Sequence, residues 1–263
     1  MKQIEGQVAI VAGGGGGVGE GIALRMGREG ATVIVVDANG AGAEKVAAAV
    51  RAAGGKASAV RGDMAAAGVA RKIADDAATA HGGIDILVNA QFPTTAWSRL
   101  EDKDITDFNT TLTATVVAAA SAMKAVFPHL KSRGAGRIVN VGSMYGPTAN
   151  EAVSDAIAAD GALANLSRAV GVEWARHNIL VNYLQGAMPD IPAFQEYRSE
   201  KGGIIDHLIS NTPMQRLADP VEDIGGAAMF LVSDEACFIV GHKVYADGGQ
   251  HLTAAVFEPG ASR

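Results

Sequence analysis

A single cysteine, Cys237, in 263 residues leaves nothing for it to pair with inside the chain. An internal disulfide framework is excluded, and a reducing compartment is implied. Basic charge is scarce as well: 22 Lys and Arg stand against 28 Asp and Glu, a net charge of −6. Nucleic-acid binding needs a basic patch, and the sequence has none. Long apolar runs are missing. The most apolar stretch, 112–127, is rich in small residues and broken by Lys124, short of the ~20 apolar residues of a membrane span. Residues 1–5 carry charge and lead directly into a strand, with no apolar signal-peptide core. No His, Cys, Asp or Glu spacing resembles a metal site. These absences leave a cytoplasmic protein without metal, membrane or nucleic acid.

What is abundant is apolar residues, at 48%, and glycine, at 33 residues. Short β-branched runs alternate with longer Ala-rich helical segments, the pattern of βαβ units on a parallel sheet. Strands are predicted over 8–11, 32–36, 57–61, 84–88, 137–141, 180–184 and 243–246. Helices are predicted over 17–30, 41–53, 69–81, 104–109, 112–130 and 153–177. The fold class is α/β, a doubly wound sheet of order 3-2-1-4-5-6-7 in one domain over 1–263. Residues 187–215, containing Pro189, Pro192, Gly202, Gly203 and Pro213, read as a lid at the carboxyl edge, where such sheets bind ligands. Its apolar residues Ile191, Phe194, Ile204, Ile205 and Leu208 suit a hydrophobic or acyl-linked substrate.

The first strand runs into Gly13-Gly14-Gly15-Gly16-Gly17-Val18-Gly19 and then opens a helix. Glycines there permit a tight turn and let a pyrophosphate reach backbone N–H groups at the positive helix end. Strand before and helix after raise the string above a flexible loop and point to a dinucleotide. Asp37 closes the second strand about twenty residues on, where a carboxylate takes hydrogen bonds from adenosine ribose hydroxyls. The same charge repels a 2′-phosphate, and no Lys or Arg in 13–19 or 38–40 offsets it. NAD is therefore expected over NADP.

The spacing Gly13-x-x-x-Gly17-x-Gly19 resembles the short-chain dehydrogenase/reductase fingerprint, and further matches run the length of the chain. They include Gly62-Asp63-Met64, Asp85 to Asn89, Gly136 to Ser143, Phe230 to Asp234 and Asp247-Gly248-Gly249. The resemblance implies nicotinamide-dependent hydride transfer at a hydroxyl or ketone, in dimers or tetramers packed through helices 112–130 and 153–177. It also implies that Asp63 and Met64 contact the adenine and that Asn89 lies beside the cofactor.

The family's working residues are Ser, Tyr, Lys and Asn. A phenol titrates near ~10 unaided, and a Lys one helical turn away lowers it so that the phenol can exchange a proton near neutrality. Ser143 holds the first position. Thirteen residues on stands Ala156 in place of Tyr, then Asp160 in place of Lys, and Thr115 holds the Asn position. Around the nicotinamide, Gln91 and Phe92 replace the family's Ala-Gly, and the Pro-Gly turn after the sixth strand reads Gln185-Gly186, one residue short. Three readings follow. The chain is a catalytically silent subunit of an intact homologue, or an oxidoreductase whose acid–base group is Tyr145 or Tyr183 with Ser143, or a non-redox lyase or isomerase using Ser143 and Asp160. In this last reading Asp160 is a base; it is also placed to accept from the nicotinamide ribose.

Overall fold

The computed structural model describes residues 3–92, 97–143, 146, 151–192, 195–196 and 203–253. Seven strands form one parallel sheet, β1 Val8–Ala12, β2 Thr32–Asp37, β3 Lys56–Arg61, β4 Ile86–Asn89, β5 Gly136–Gly142, β6 Ile179–Gly186 and β7 Lys243–Ala246. Their order is β3-β2-β1-β4-β5-β6-β7, as the alternating pattern requires. The helices are α1 Gly17–Arg28, α2 Gly40–Ala52, α3 Val69–His81, α4 Ile105–Leu112, α5 Ala118–Arg133, α6 Ser154–Trp174, α7 Gly203–Asn211 and α8 Gly225–Val232.

The central strands β1, β4 and β5 are buried along nearly their whole length and are mostly apolar because helices cover both of their faces. In β1 all five residues are buried. Alternate side chains then enter different cores. Ala9 and Val11 join Ile22, Met26, Val46 and Met229 on one face, while Val8, Ile10 and Ala12 join Ile73, Leu87, Val126 and Leu130 on the other. The glycine-rich loop and the ends of β4, β5 and β6 all open on the same carboxyl edge.

Three local expectations change. The helices read at 104–109 and 112–130 are one helical run, because a π turn over Thr113–Val117 joins α4 to α5 instead of breaking them. That run, Ile105–Arg133, has a mean hydropathy of 1.4 over its most apolar window and passes a length-and-composition test for a membrane span. Here Ala118, Ala122, Met123, Val126 and Leu130 pack against the sheet instead. The sixth strand continues through Gln185 and Gly186, each paired with β7, so the turn expected at 185–186 is strand. The lid contains α7, while residues 193–194 and 197–202 lie outside the described set. Two further segments escaped the sequence reading, α8 and the π turn at Pro220–Ile224, since Gly225–Val232 is nearly all apolar and lacks helical periodicity.

Candidate active site and dinucleotide cradle

The glycine loop is shaped by close approach. Gly13 has φ +77°, and both Gly13 and Gly14 donate N–H bonds to the Val36 carbonyl, at 2.9 and 3.1 Å. A Cβ on Gly13 would lie 2.5 Å from the Ala90 carbonyl oxygen, and one on Gly19 would overlap the Gly13 carbonyl. These two glycines lock the turn against β4 and α1. Gly16 differs: a Cβ there would meet nothing within 4 Å. It is also the N-cap of α1 without any side-chain cap, so the first N–H groups of the helix face an open cradle. Val18, in the first turn of α1, is partly buried against the core. The lid reaches this place, since the Ile191 side chain lies 3.9 Å from where a Gly17 Cβ would stand.

Asp37 ends β2 beside the cradle. One carboxylate oxygen accepts the Gly15 N–H at 3.0 Å and the other the Asn39 N–H at 2.9 Å. Each oxygen keeps a lone pair for a further donor. Two residues past the end of β4, Gln91 Oε1 is buried with no hydrogen-bond partner among the described residues. An open cradle, a half-used carboxylate and an orphaned acceptor along one edge fit the adenosine, pyrophosphate and ribose of a dinucleotide.

The side chains of the other residues assigned to the cofactor make contacts within the chain. Met64 is buried in the core with Ile73 and Val36, so its side chain serves packing. Asp63 is exposed and caps its own turn through the Ala65 N–H at 2.9 Å. The Asn89 side chain points inward, donating to Asn140 Oδ1 at 2.8 Å, and Asn140 donates in turn to Ser167 Oγ at 2.8 Å. This chain of amides ties β4 to β5 and α6.

The second half of the site is unlike a proton relay. Ala156 is half-buried on the first turns of α6, and Thr115 is buried within the π turn. Asp160 is only 2% exposed. Its carboxylate accepts the Ser143 N–H at 2.7 Å and the Tyr183 hydroxyl. Lys243 stands 3.7 Å from the other carboxylate oxygen. Gln185 donates to the Ser143 carbonyl and completes the cluster. Small residues make room for it: a Cβ on Gly142 would overlap the Tyr183 hydroxyl, and one on Gly146 the Asp160 carboxylate. Strand parity explains the meeting. Tyr183 and Gln185 lie two apart on the α6 side of β6, and Tyr183 pairs with Lys243 in register.

This arrangement removes Tyr183 as an acid–base group. Its ring is 1% exposed, its hydroxyl is engaged, and burial together with the Asp160 charge pushes the phenol far above its ordinary range. It also turns Asp160 away from a ribose or a substrate. Burial pushes the Asp160 carboxyl up, against the hydrogen bonds from Tyr183 and Ser143 and the charge of Lys243. Tyr145 lies outside the described residues.

A structural acceptor and a base predict different mutants. Asp160→Asn keeps an acceptor for Ser143 and Tyr183, so its stability should lie within about 1 kcal/mol of wild type. Asp160→Ala strands a buried N–H and a buried hydroxyl and should cost about 2–4 kcal/mol. The sign of the pH effect follows from the raised carboxyl. The ionised form is a burden on the fold, relieved as pH falls through the raised value, and this contribution vanishes in Asp160→Asn. Urea unfolding at several pH values measures both; equal large losses in the two variants would contradict the structural role.

Beside α6, Lys103 and Asp155 form an ion pair at 2.9 Å with side chains 2% and 0% exposed. Asp155 also accepts the Thr111 hydroxyl at 2.7 Å. Ser98 N–H donates to the Ala152 carbonyl at 3.0 Å, and Arg99 meets Glu151 at 2.6 Å. The segment before α4 is thus fastened to the start of α6, next to Ala156.

Comparison with known proteins agrees with this architecture. Residues 13–251 match the family described as enoyl-(acyl carrier protein) reductase. The chain is 32% identical over 253 residues to 2,5-dichloro-2,5-cyclohexadiene-1,4-diol dehydrogenase of Sphingobium indicum, covering 94% of this chain and 97% of that one. A Burkholderia xenovorans structure described as a short-chain dehydrogenase/reductase superposes with a TM-score of 0.90 at 30% identity, over 97% of this chain and 100% of that one. NAD+-bound xylitol dehydrogenase gives 0.88 at 28% identity, over 94% and 100%. Glycine cradle, β2 carboxylate, strand order and full-length similarity coincide, and the chain belongs to the short-chain dehydrogenase/reductase family of oxidoreductases.

Proposed function

We propose that this chain binds NAD(H) and serves as the subunit without a proton relay in a dehydrogenase system whose intact homologue performs the chemistry. The open edge at Gly16 and Gly17, the N-terminus of α1 and the Asp37 carboxylate would hold the pyrophosphate and the adenosine ribose, with Gln91 near the end of β4 as a further acceptor. The similarity to NAD+-bound xylitol dehydrogenase supports the same cofactor. A bound nicotinamide supplies hydride transfer at an alcohol or ketone carbon. The residues that would move the accompanying proton are replaced.

One observation carries the silence: the Asp160 carboxylate, at the place of the relay cation, is spent on the Ser143 N–H and the Tyr183 hydroxyl. Losing a positioned acid–base group typically costs ~10²–10⁴ in rate, and a fixed anion nearby would raise any remaining phenol further. A silent subunit still needs its interface. Val117, in the π turn before α5, and Val172, in the last turn of α6, are 47% and 78% exposed, and a partner packed along these helices would cover them. The ring alcohol named for the Sphingobium relative suggests a secondary alcohol or ketone, carried on a carbocycle, as the substrate of the pair.

The test is affinity purification of the tagged chain from its native host, followed by assay of the eluate. The reading expects a second short-chain dehydrogenase/reductase with an intact Tyr and Lys, and activity that disappears when the two are separated. A homo-oligomer that turns over alcohols by itself would overturn it.

A further inference from the structure

Dinucleotide-binding folds choose between NAD and NADP with two devices, a carboxylate that takes the ribose hydroxyls or an arginine that takes the 2′-phosphate. Read along the sequence, this chain has only the first. The sheet supplies the second. Arg61, the last residue of β3, pairs in register with Asp37, the last residue of β2. Neighbouring strands lie ~4.8 Å apart, so the two side chains leave adjacent points on the carboxyl edge. The stem of Arg61 passes over Gly40, whose missing Cβ would stand 3.0 Å from Arg61 Cβ and 3.2 Å from its Cδ. Gly40 opens α2 one residue after Asn39, which donates its N–H to Asp37. A few residues on, a Cβ on Gly42 would come 2.7 Å from the Gly15 carbonyl oxygen of the cradle.

The two charges do not pair. Asp37 takes one N–H on each oxygen, from Gly15 and Asn39, and Arg61 is exposed with no ion pair among the described residues. A guanidinium that is always charged, presents a fixed fork of donors and lacks a carboxylate partner suits a phosphate. No sequence motif announces it, because Arg61 lies 24 positions from Asp37 and is brought beside it only by strand pairing.

We propose that Arg61 is a specificity-determining residue of the cofactor site: it takes the 2′-phosphate of NADP(H), while Asp37 favours the free ribose hydroxyls of NAD(H). The proposal rests on the cofactor reading above. Selectivity for NADH over NADPH is then finite in the wild-type chain, set by one repulsive and one attractive charge across the same ribose.

Fluorescence titration of NADH and of NADPH into the full chain tests this, with thermal unfolding to check that each variant folds. A charge-assisted contact to a phosphate is worth about a tenfold change in affinity or more. Arg61→Ala should weaken NADPH by about tenfold or more and leave NADH within about twofold, because the surface change touches no ribose hydroxyl. Asp37→Ser should tighten NADPH by about tenfold, and the double variant should lose that gain. NADH binding with Arg61→Ala acting equally on both cofactors, or on neither, overturns the inference alone. A wild-type chain that binds neither dinucleotide overturns the cofactor reading and this inference with it.

Discussion

Lys103→Met should lower stability by about 3–5 kcal/mol, since removing one partner of a buried ion pair leaves an uncompensated charge. For a chain of this size that corresponds to a Tm lower by about 10 °C. The pair is 2.9 Å apart and sealed from solvent. Burial alone would raise the Asp155 carboxyl; Lys103, the Thr111 hydroxyl and the Ala156 N–H together outweigh it and hold the carboxyl below its usual value. The direction with pH follows. In the wild type this contribution is complete above the ordinary carboxylate range and is lost as pH falls through the depressed value. In Lys103→Met the same carboxyl is buried without its cation and shifts upward, so the variant should gain stability on mild acidification while the wild type does not. Lys103→Met with Asp155→Leu should recover most of the loss, because a buried pair exchanged for apolar groups is often neutral. Chemical denaturation of the three proteins between neutral and acid pH decides it; a loss under 1 kcal/mol in the single variant would mean that the pair is dispensable.

Gly13→Ala is the second large effect. The residue sits at φ +77°, which costs a side chain about 1–2 kcal/mol. Its new Cβ would press on the Ala90 carbonyl from 2.5 Å, adding about 1–3 kcal/mol of overpacking. A total of about 2–5 kcal/mol should appear in unfolding, together with loss of NADH binding as the loop leaves β4. Gly16→Ala is the informative contrast. Its φ of 179° is extended backbone and nothing stands in the way of a methyl group, so stability should stay within about 0.5 kcal/mol. The methyl would nevertheless stand in the cradle and weaken NADH. If Gly16→Ala binds NADH normally, the pyrophosphate does not lie where the open edge places it.

Much of the fold could be read before any coordinates because several levels of pattern agreed. Val8 to Val11 is a continuous apolar run and Thr32 to Val36 a continuous β-branched one, as double burial demands, and each is followed by glycine or a capping residue and then a helix. The glycine cradle and Asp37 were legible for the same reason: their meaning is local, set by a strand, a turn and a helix start within thirty residues. Contacts made across the sheet left no such trace. Arg61 gains its meaning only from strand pairing beside Asp37, and Lys103, in the segment before α4, only from meeting Asp155 on α6. The cluster around Asp160 joins residues from β5, α6, β6 and β7, so the sequence shows a missing lysine but not where the replacing carboxylate turns. A faint signal existed in β6, where Tyr183 and Gln185 continue the face begun by Ile179 and Val181 and end an apolar strand on two polar side chains. The helix at Ile105–Arg133 reads as two in the sequence, with a gap at 110–111, where Thr110 and Thr111 are β-branched and weaken helical propensity; the structure carries α4 through them to Leu112, and the π turn over Thr113–Val117 continues it into α5.

The central claim is that the cofactor half of the site survives while its proton relay has been rebuilt into a structural latch. It is tested most directly by following NADH oxidation by the isolated, NADH-saturated chain against a panel of cyclic and open-chain ketones. The latch predicts bound NADH and a rate indistinguishable from the reaction without protein. Sustained turnover that survives removal of every co-purifying protein would contradict it, and would place an acid–base group that Asp160 and Tyr183 do not provide.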